Sequence, residues 1–402
     1  MRAALALASV IVAAACARQP VTAAPWSDIS CASAVGSPAN ASDVPGFSTA
    51  GWKTDFARHC VPLSEVTSGG PPRDGIPPLD DPTFEETALA DAWLKPQEPV
   101  IVVAESGTAR AYPLQVLIWH EIVNDTFGQR PIVVTFCPLC NTSLVFDRRA
   151  AGRDLTFGTT GDLRYSDLVM WDRQTESFWQ QATGEAIVGT LTGTRLDRVA
   201  SAILSYADFK RAYPDGRVLS RDGALAEVTR KTGHGRDYGT NPYSGYDRAD
   251  SPPIAGFFGN APLDPRLPPK ARVAIATFSR PPVGYPLGRL SRSTAINDTV
   301  GGRQVVLLYG PGVASPLDRP VTSAGDDVGQ AVLYDPVVDG RALTFRADGS
   351  HFVDDQTGSR WAVSGVAVAG PLAGRRLTLL AHEVTFWFIW AVFHPETEIR
   401  DR

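Results

Sequence analysis

The chain echoes itself, and that echo limits its fold more than any single motif does. VAIATFSRPPVGYPLGRL (273–290) follows the pattern of VIVVAESGTARAYPLQVL (100–117). AINDTVGGRQVVLLYGPG (295–312) follows IVNDTFGQRPIVVTFCPL (122–139), DDQTGSRW (354–361) follows DRQTESFW (172–179), and AVAGPLAGRRL (367–377) follows AIVGTLTGTRL (186–196). FWFIWAVFHPET (386–397) closes the second series where SYADFKRAYPDG (205–216) closes the first. Matched blocks in one order predict two copies of one supersecondary assembly. The 36 glycines and 32 prolines favour short strands and turns over long helices. The expectation is an α+β, β-rich chain of two internally repeated units of short strands with a few helices. The first unit covers 61–220 and the second, degenerate unit covers 273–402, with a Gly-, Pro- and Tyr-rich connector over 221–272.

Comparing the copies separates residues that serve the fold from residues that serve chemistry. Tyr112/Tyr285, Pro113/Pro286, Asn124/Asn297, Asp125/Asp298, Trp179/Trp361 and Gly193/Gly374 stand in both. Four positions are lost together in the second: His120 becomes Ser293, Glu121 becomes Thr294, Cys137 becomes Gly310 and Cys140 becomes Val313. A shared loss points to a shared task that only one copy performs.

Leu114, Leu117, Ile118, Glu121 and Ile122 recur at helical spacing and predict a helix ending at Asn124-Asp125. A further short helix is expected over Phe84 to Leu94, and another over Ser205 to Tyr213. After the helix at 114–122, a β-branched run delivers Cys137-Pro138-Leu139-Cys140 to the tip of a hairpin, where both thiols can turn to one point. His120, from the helix before it, would add a nitrogen. Two thiolates and an imidazole suit copper or zinc far better than calcium or magnesium. Glu121 is the candidate general base, or else an outer partner that orients a ligand. A redox-active dithiol and an inert disulfide stand beside the metal as alternative readings of Cys137 and Cys140. A second polar cluster, Arg164 to Asp167 with Asp172 to Gln181, reads first as a turn network. Arg164, Arg173, Glu176 and Gln180, which do not recur, are candidates for lining a pocket.

Met1-Arg2 followed by the small, apolar run Ala3 to Ala15 is a targeting pattern. Residues 1–24 are read as a signal peptide or a lipoprotein signal, with Cys16 as the cysteine that a lipid would anchor to a membrane. Residues 25–60 follow as a mobile tether. The expected place is the cell envelope, periplasm or outer surface. In an oxidising compartment Cys31 and Cys60 are expected to pair. The net charge of -5 gives no footing for nucleic acid. There is no phosphate-binding glycine loop, no Gly-x-Ser-x-Gly elbow and no HExxH helix. The expected ligand is a small molecule or a metal.

Six blocks carry a family resemblance: DGIPPLDDPTF (74–84), RAYPLQVLIWHEIVND (110–125), TFCPLCNTSLVFDR (135–148), FGTTGDLRYSDLVMWDRQTESFWQQATGEAIVG (157–189), PDGRVLS (214–220) and YGTNPYSGYD (238–247). Together they resemble the bacterial and archaeal family catalogued as domain of unknown function 3179. The resemblance implies an exported or membrane-associated protein with the CPxC motif at its heart, and no particular activity.

Overall fold

The computed structural model describes Cys31 and residues 43–400, apart from 106, 291 and 292. The targeting segment over 1–24, Cys16 included, lies outside the described residues, as does most of 25–42. The architecture is β-rich, with several small sheets and few helices. No helix of the described residues is long and apolar enough to cross a membrane.

One sheet runs in the order Ala202–Ser205, Pro99–Glu105, Thr108–Pro113, Arg217–Leu219, Phe84–Glu86, with Arg217–Leu219 parallel to Thr108–Pro113. Another runs His382–Phe386, Arg272–Ala276, Val283–Pro286, Glu398–Ile399, with Glu398–Ile399 parallel to Val283–Pro286. Ile122–Phe127, Arg130–Cys137 and Thr142–Asp147 form an antiparallel meander. So do Thr294–Val300, Arg303–Gly310 and Gln330–Asp335. Phe157–Arg164, Asp167–Asp172, Phe178–Gln180 and Glu185–Val188 make a four-stranded run, with Val66–Ser68 on its edge. Phe345–Asp348, His351–Asp354, Arg360–Trp361 and Ala367–Ala369 make another.

Side-chain polar ties correspond as well. The Asn124 carboxamide donates to Phe157 O and accepts from Phe157 N, both at 2.8 Å, and Asn297 does the same with Phe345 at 2.8 Å. A side-chain amide thus satisfies two backbone groups that no strand partner reaches. Tyr112 donates to Asp125 at 2.6 Å and Tyr285 to Asp298 at 3.0 Å. Trp179 donates to Asp172 and Trp361 to Asp354, each at 2.9 Å.

Two of the differences between the halves bear on the thiols. Cys137 and Thr142 close a tight turn, whereas the strands ending at Gly310 and beginning at Gln330 are joined by the long loop 311–329. The hairpin from Phe157 to Asp172 is turned by Tyr165-Ser166, while its shorter counterpart is turned between Asp348 and His351 by Gly349-Ser350.

Tertiary pairing overrides several local expectations. The helix after Pro113 spans only Leu114–Leu117. Ile122–Phe127 is a strand instead, because its β-branched residues pair with Arg130–Cys137 and bury in the core. Phe84 to Leu94 divides into the strand Phe84–Glu86 and the helix Thr87–Ala90. The connector contains a helix, Arg221–Thr232, whose first turn is capped by Ser220 Oγ accepting from Gly223 N and whose end is Gly233 at φ +76°. Residues 43–60 are packed rather than loose. Phe47, Trp52 and Phe56 lie 5.8, 4.7 and 5.7 Å from the Phe178 ring, and Cys31 is disulfide-bonded to Cys60. The buried Phe47 ring and the partly buried Trp52 and Phe56 rings outweigh the freedom that an Ala/Ser-rich composition suggests. The largest core joins both halves, with Phe386, Phe388 and Phe393 packed among residues of 101–224.

Candidate functional site

Cys137 ends a strand, and the chain reverses at once: Cys140 N donates to Cys137 O at 3.2 Å and Asn141 N to Pro138 O at 3.3 Å. Asn141 takes the left-handed conformation, φ +51°, that such a reversal asks for and Asn tolerates. Both thiols are free and almost wholly buried, at 1% and 0% exposure. Their sulfurs donate to one acceptor, Ser166 O, at 3.6 and 3.2 Å.

Ser166 is brought there by the turn Tyr165-Ser166, with φ +55° and +68°. Two consecutive left-handed residues match the twist of a two-residue hairpin, but neither residue is the Gly or Asn that the turn prefers. Each costs roughly 1–2 kcal/mol. The next residue, Asp167, is fully buried. Its Oδ2 accepts from Gln180 Nε2 and, at 2.9 Å, from Ala182 N. Its Oδ1 has no hydrogen-bond partner, and neither do the buried Ser166 Oγ and Gln181 Oε1. The two sulfurs and an Asp167 carboxylate oxygen all lie within 4.8 Å of one another. Asp167 is the residue that sequence reasoning missed: Tyr-Ser is no turn signal, so nothing folded the second polar cluster onto the thiols. Ser166→Gly is expected to stabilise the protein by about 0.5–1 kcal/mol, the relief of strain less the added freedom of the unfolded chain. Denaturant midpoints measure it, and an unchanged or lower midpoint contradicts the strain.

Glu121 is also buried and left-handed, φ +58°. Burial, and then the charge of Asp167, raise its carboxyl to about 8. Burial raises Asp167 to about 7 and pushes both thiols up. Among the described residues neither Glu121 nor Asp167 has an ion-pair partner.

Of the three expected metal ligands, the structure brings Cys137 and Cys140 together and engages His120 elsewhere. His120 Nδ1 is 2.7 Å from Pro77 O, and its Nε2 is 2.5 Å from Tyr238 OH. A carbonyl can only accept, so Nδ1 carries the proton and Nε2 accepts from the tyrosine. Burial lowers this imidazole to about 4, so it stays neutral. Asp167, not His120, completes the group with the thiols.

Parts of both halves enclose the group. Tyr246 OH donates to Leu139 O at 3.0 Å. From the second half, Phe386 N and Thr385 Oγ1 donate to Cys140 O at 3.1 and 3.3 Å. Glu383 pairs with Arg198 at 2.6 Å. Among the other candidates, Gln180 reaches Asp167, and Arg164 reaches Gln180 at 3.4 Å and Glu65 at 2.6 Å. Glu176 and Arg173 instead secure the segments around Lys53, Arg73, Asp74 and Asp80.

A family model described as "Protein of unknown function (DUF3179)" matches residues 73–397. No curated protein and no solved structure matches the chain.

Proposed function

The chain belongs to the DUF3179 family, and from there we propose that it is an exported protein holding a zinc or copper ion at Cys137, Cys140 and Asp167, for metal-dependent catalysis or metal handling. One observation carries the reading: Asp167 is fully buried, its Oδ1 is without a hydrogen-bond partner, and one of its carboxylate oxygens lies within 4.8 Å of two thiol sulfurs. An unsatisfied buried carboxylate oxygen is costly, and a cation is the partner whose charge offsets it. Two sulfurs with one oxygen suit zinc or copper, whereas calcium and magnesium take oxygen alone.

Three protein donors leave room for a small molecule beside them, and an ion held there supplies Lewis acidity. Glu121 is then the group that takes up or returns a proton at its carboxylate, which burial already holds near neutral pH. Gln180 and Ala182 N fix the orientation of Asp167. The dithiol reading is less well supported, since reactive thiols are partly exposed and acid-shifted, and these are buried and shifted upward. Export is supported by the apolar start of the sequence and by the Cys31–Cys60 disulfide. We also read the halves as two copies of one unit, of which the first alone keeps the site.

Elemental analysis tests the centre. Reduced protein reconstituted with zinc or copper(I) and desalted should carry about one equivalent per chain, and Cys137→Ser/Cys140→Ser none. A wild-type chain that retains no metal after that treatment ends the reading.

A further inference from the structure

We infer that His120 is a positioning residue which, with Tyr238, latches segment 238–246 as a gate over the buried thiols; the inference rests on taking that cluster as the working site. Cys137, Cys140 and Asp167 are at most 1% exposed, so a reagent or ion reaches them only when some covering segment moves. The segment from Tyr238 to Tyr246 covers them through side-chain tips. Tyr238 OH donates to His120 Nε2, and the far side of that imidazole is held by Pro77 O. Tyr246 OH donates to Leu139 O, inside the turn between the two cysteines. Tyr243, between them, packs on the same core. Burial, then the nearness of Glu121 and Cys137, pushes its hydroxyl pKa up.

The opposite edge of the segment is held by backbone. Asn241 N donates to Pro320 O at 2.8 Å, Gly245 N to Asp318 O at 2.6 Å, and Thr322 N to Gly239 O at 2.9 Å. Gly239 and Gly245, with φ +94° and +77°, flank the stretch between them. The anchor is the loop 311–329, which stands in the second half where the thiol turn stands in the first. On the other edge the segment is tied by the two tyrosine hydroxyls and by Trp119 Nε1, which donates to Thr240 O at 3.3 Å, and it opens by releasing these side-chain bonds. The latch also explains the joint loss of His120 with both cysteines in the second copy: with no thiols to cover, no imidazole is needed.

Iodoacetamide alkylation of the reduced, metal-free protein, followed by mass spectrometry, reads the gate without any metal. Tyr238→Phe removes one hydroxyl and keeps the ring. It should speed labelling of Cys137 and Cys140 about fivefold, the factor that one net buried hydrogen bond is worth. Tyr206→Phe should leave the rate unchanged, since that hydroxyl serves Thr87 O and Asp91. In zinc-loaded protein Tyr238→Phe should speed uptake and release by one common factor and keep the affinity within about twofold. Unchanged alkylation overturns the gate, and so does weaker binding without faster uptake. A wild-type chain that takes up no zinc defeats the metal reading alone, and the alkylation rates still decide the gate.

Discussion

Asp167→Asn should weaken zinc or copper binding about a hundredfold or more and, in the same protein, raise the stability of the metal-free state at pH 8. Outer partners of a metal ligand are already worth 10–100-fold in affinity, so loss of a direct donor belongs at or beyond the upper end. The stability gain follows from linkage. Burial holds Asp167 at about 7 against 3.8, and Glu121 at about 8 against 4.5. The folded chain keeps protons that the unfolded chain gives up. The stability these groups contribute is therefore complete below about pH 4 and lost as the pH rises through 7 and 8. Metal-free wild type should melt lower at pH 8 than at pH 5. Asn keeps an acceptor for Gln180 and Ala182 N but has no charge to bury. The variant's fall over that interval should be smaller by on the order of 2 kcal/mol, a few degrees in Tm. Melting curves at both pH values and a competitive metal titration measure the two effects. A variant that binds metal as tightly as wild type, or melts with the wild-type pH slope, removes Asp167 from the centre.

The second large effect is expected at Glu383, in the half that carries no thiols. Its side chain is 2% exposed and that of Arg198 9%, and they meet at 2.6 Å. Glu383→Ala leaves a guanidinium buried without its carboxylate, which typically costs about 3–5 kcal/mol. The loss also runs toward the site, because Arg198 Nη2 donates to Ala182 O at 3.0 Å and Ala182 N donates to Asp167 at 2.9 Å. Arg198→Met/Glu383→Leu, which removes both charges, should recover most of the stability. Guanidinium unfolding followed by circular dichroism separates the outcomes. A loss under about 1 kcal/mol for Glu383→Ala would place the pair among weak surface bridges.

No local pattern in the sequence marks Glu383. Only packing gives Glu383 its partner, 185 residues away. Distance along the chain also hid Asp167 from Cys137, and hid Tyr238 from His120. Where the sequence did speak, it spoke through local pattern. The β-branched run before Cys137 is a strand, and the two cysteines share a tight turn.

By itself, then, the sequence determined the β-rich character, the family and the thiol turn, because periodicity, turn residues and motif blocks are properties of short stretches. Which third group faces the sulfurs was decided only by tertiary structure. A hairpin turned at the unfavourable pair Tyr165-Ser166 sets Asp167 beside them, while Pro77 and Tyr238 claim both nitrogens of His120. Those contacts depend on strain and hydrogen bonds supplied by distant segments, and no local pattern encodes them.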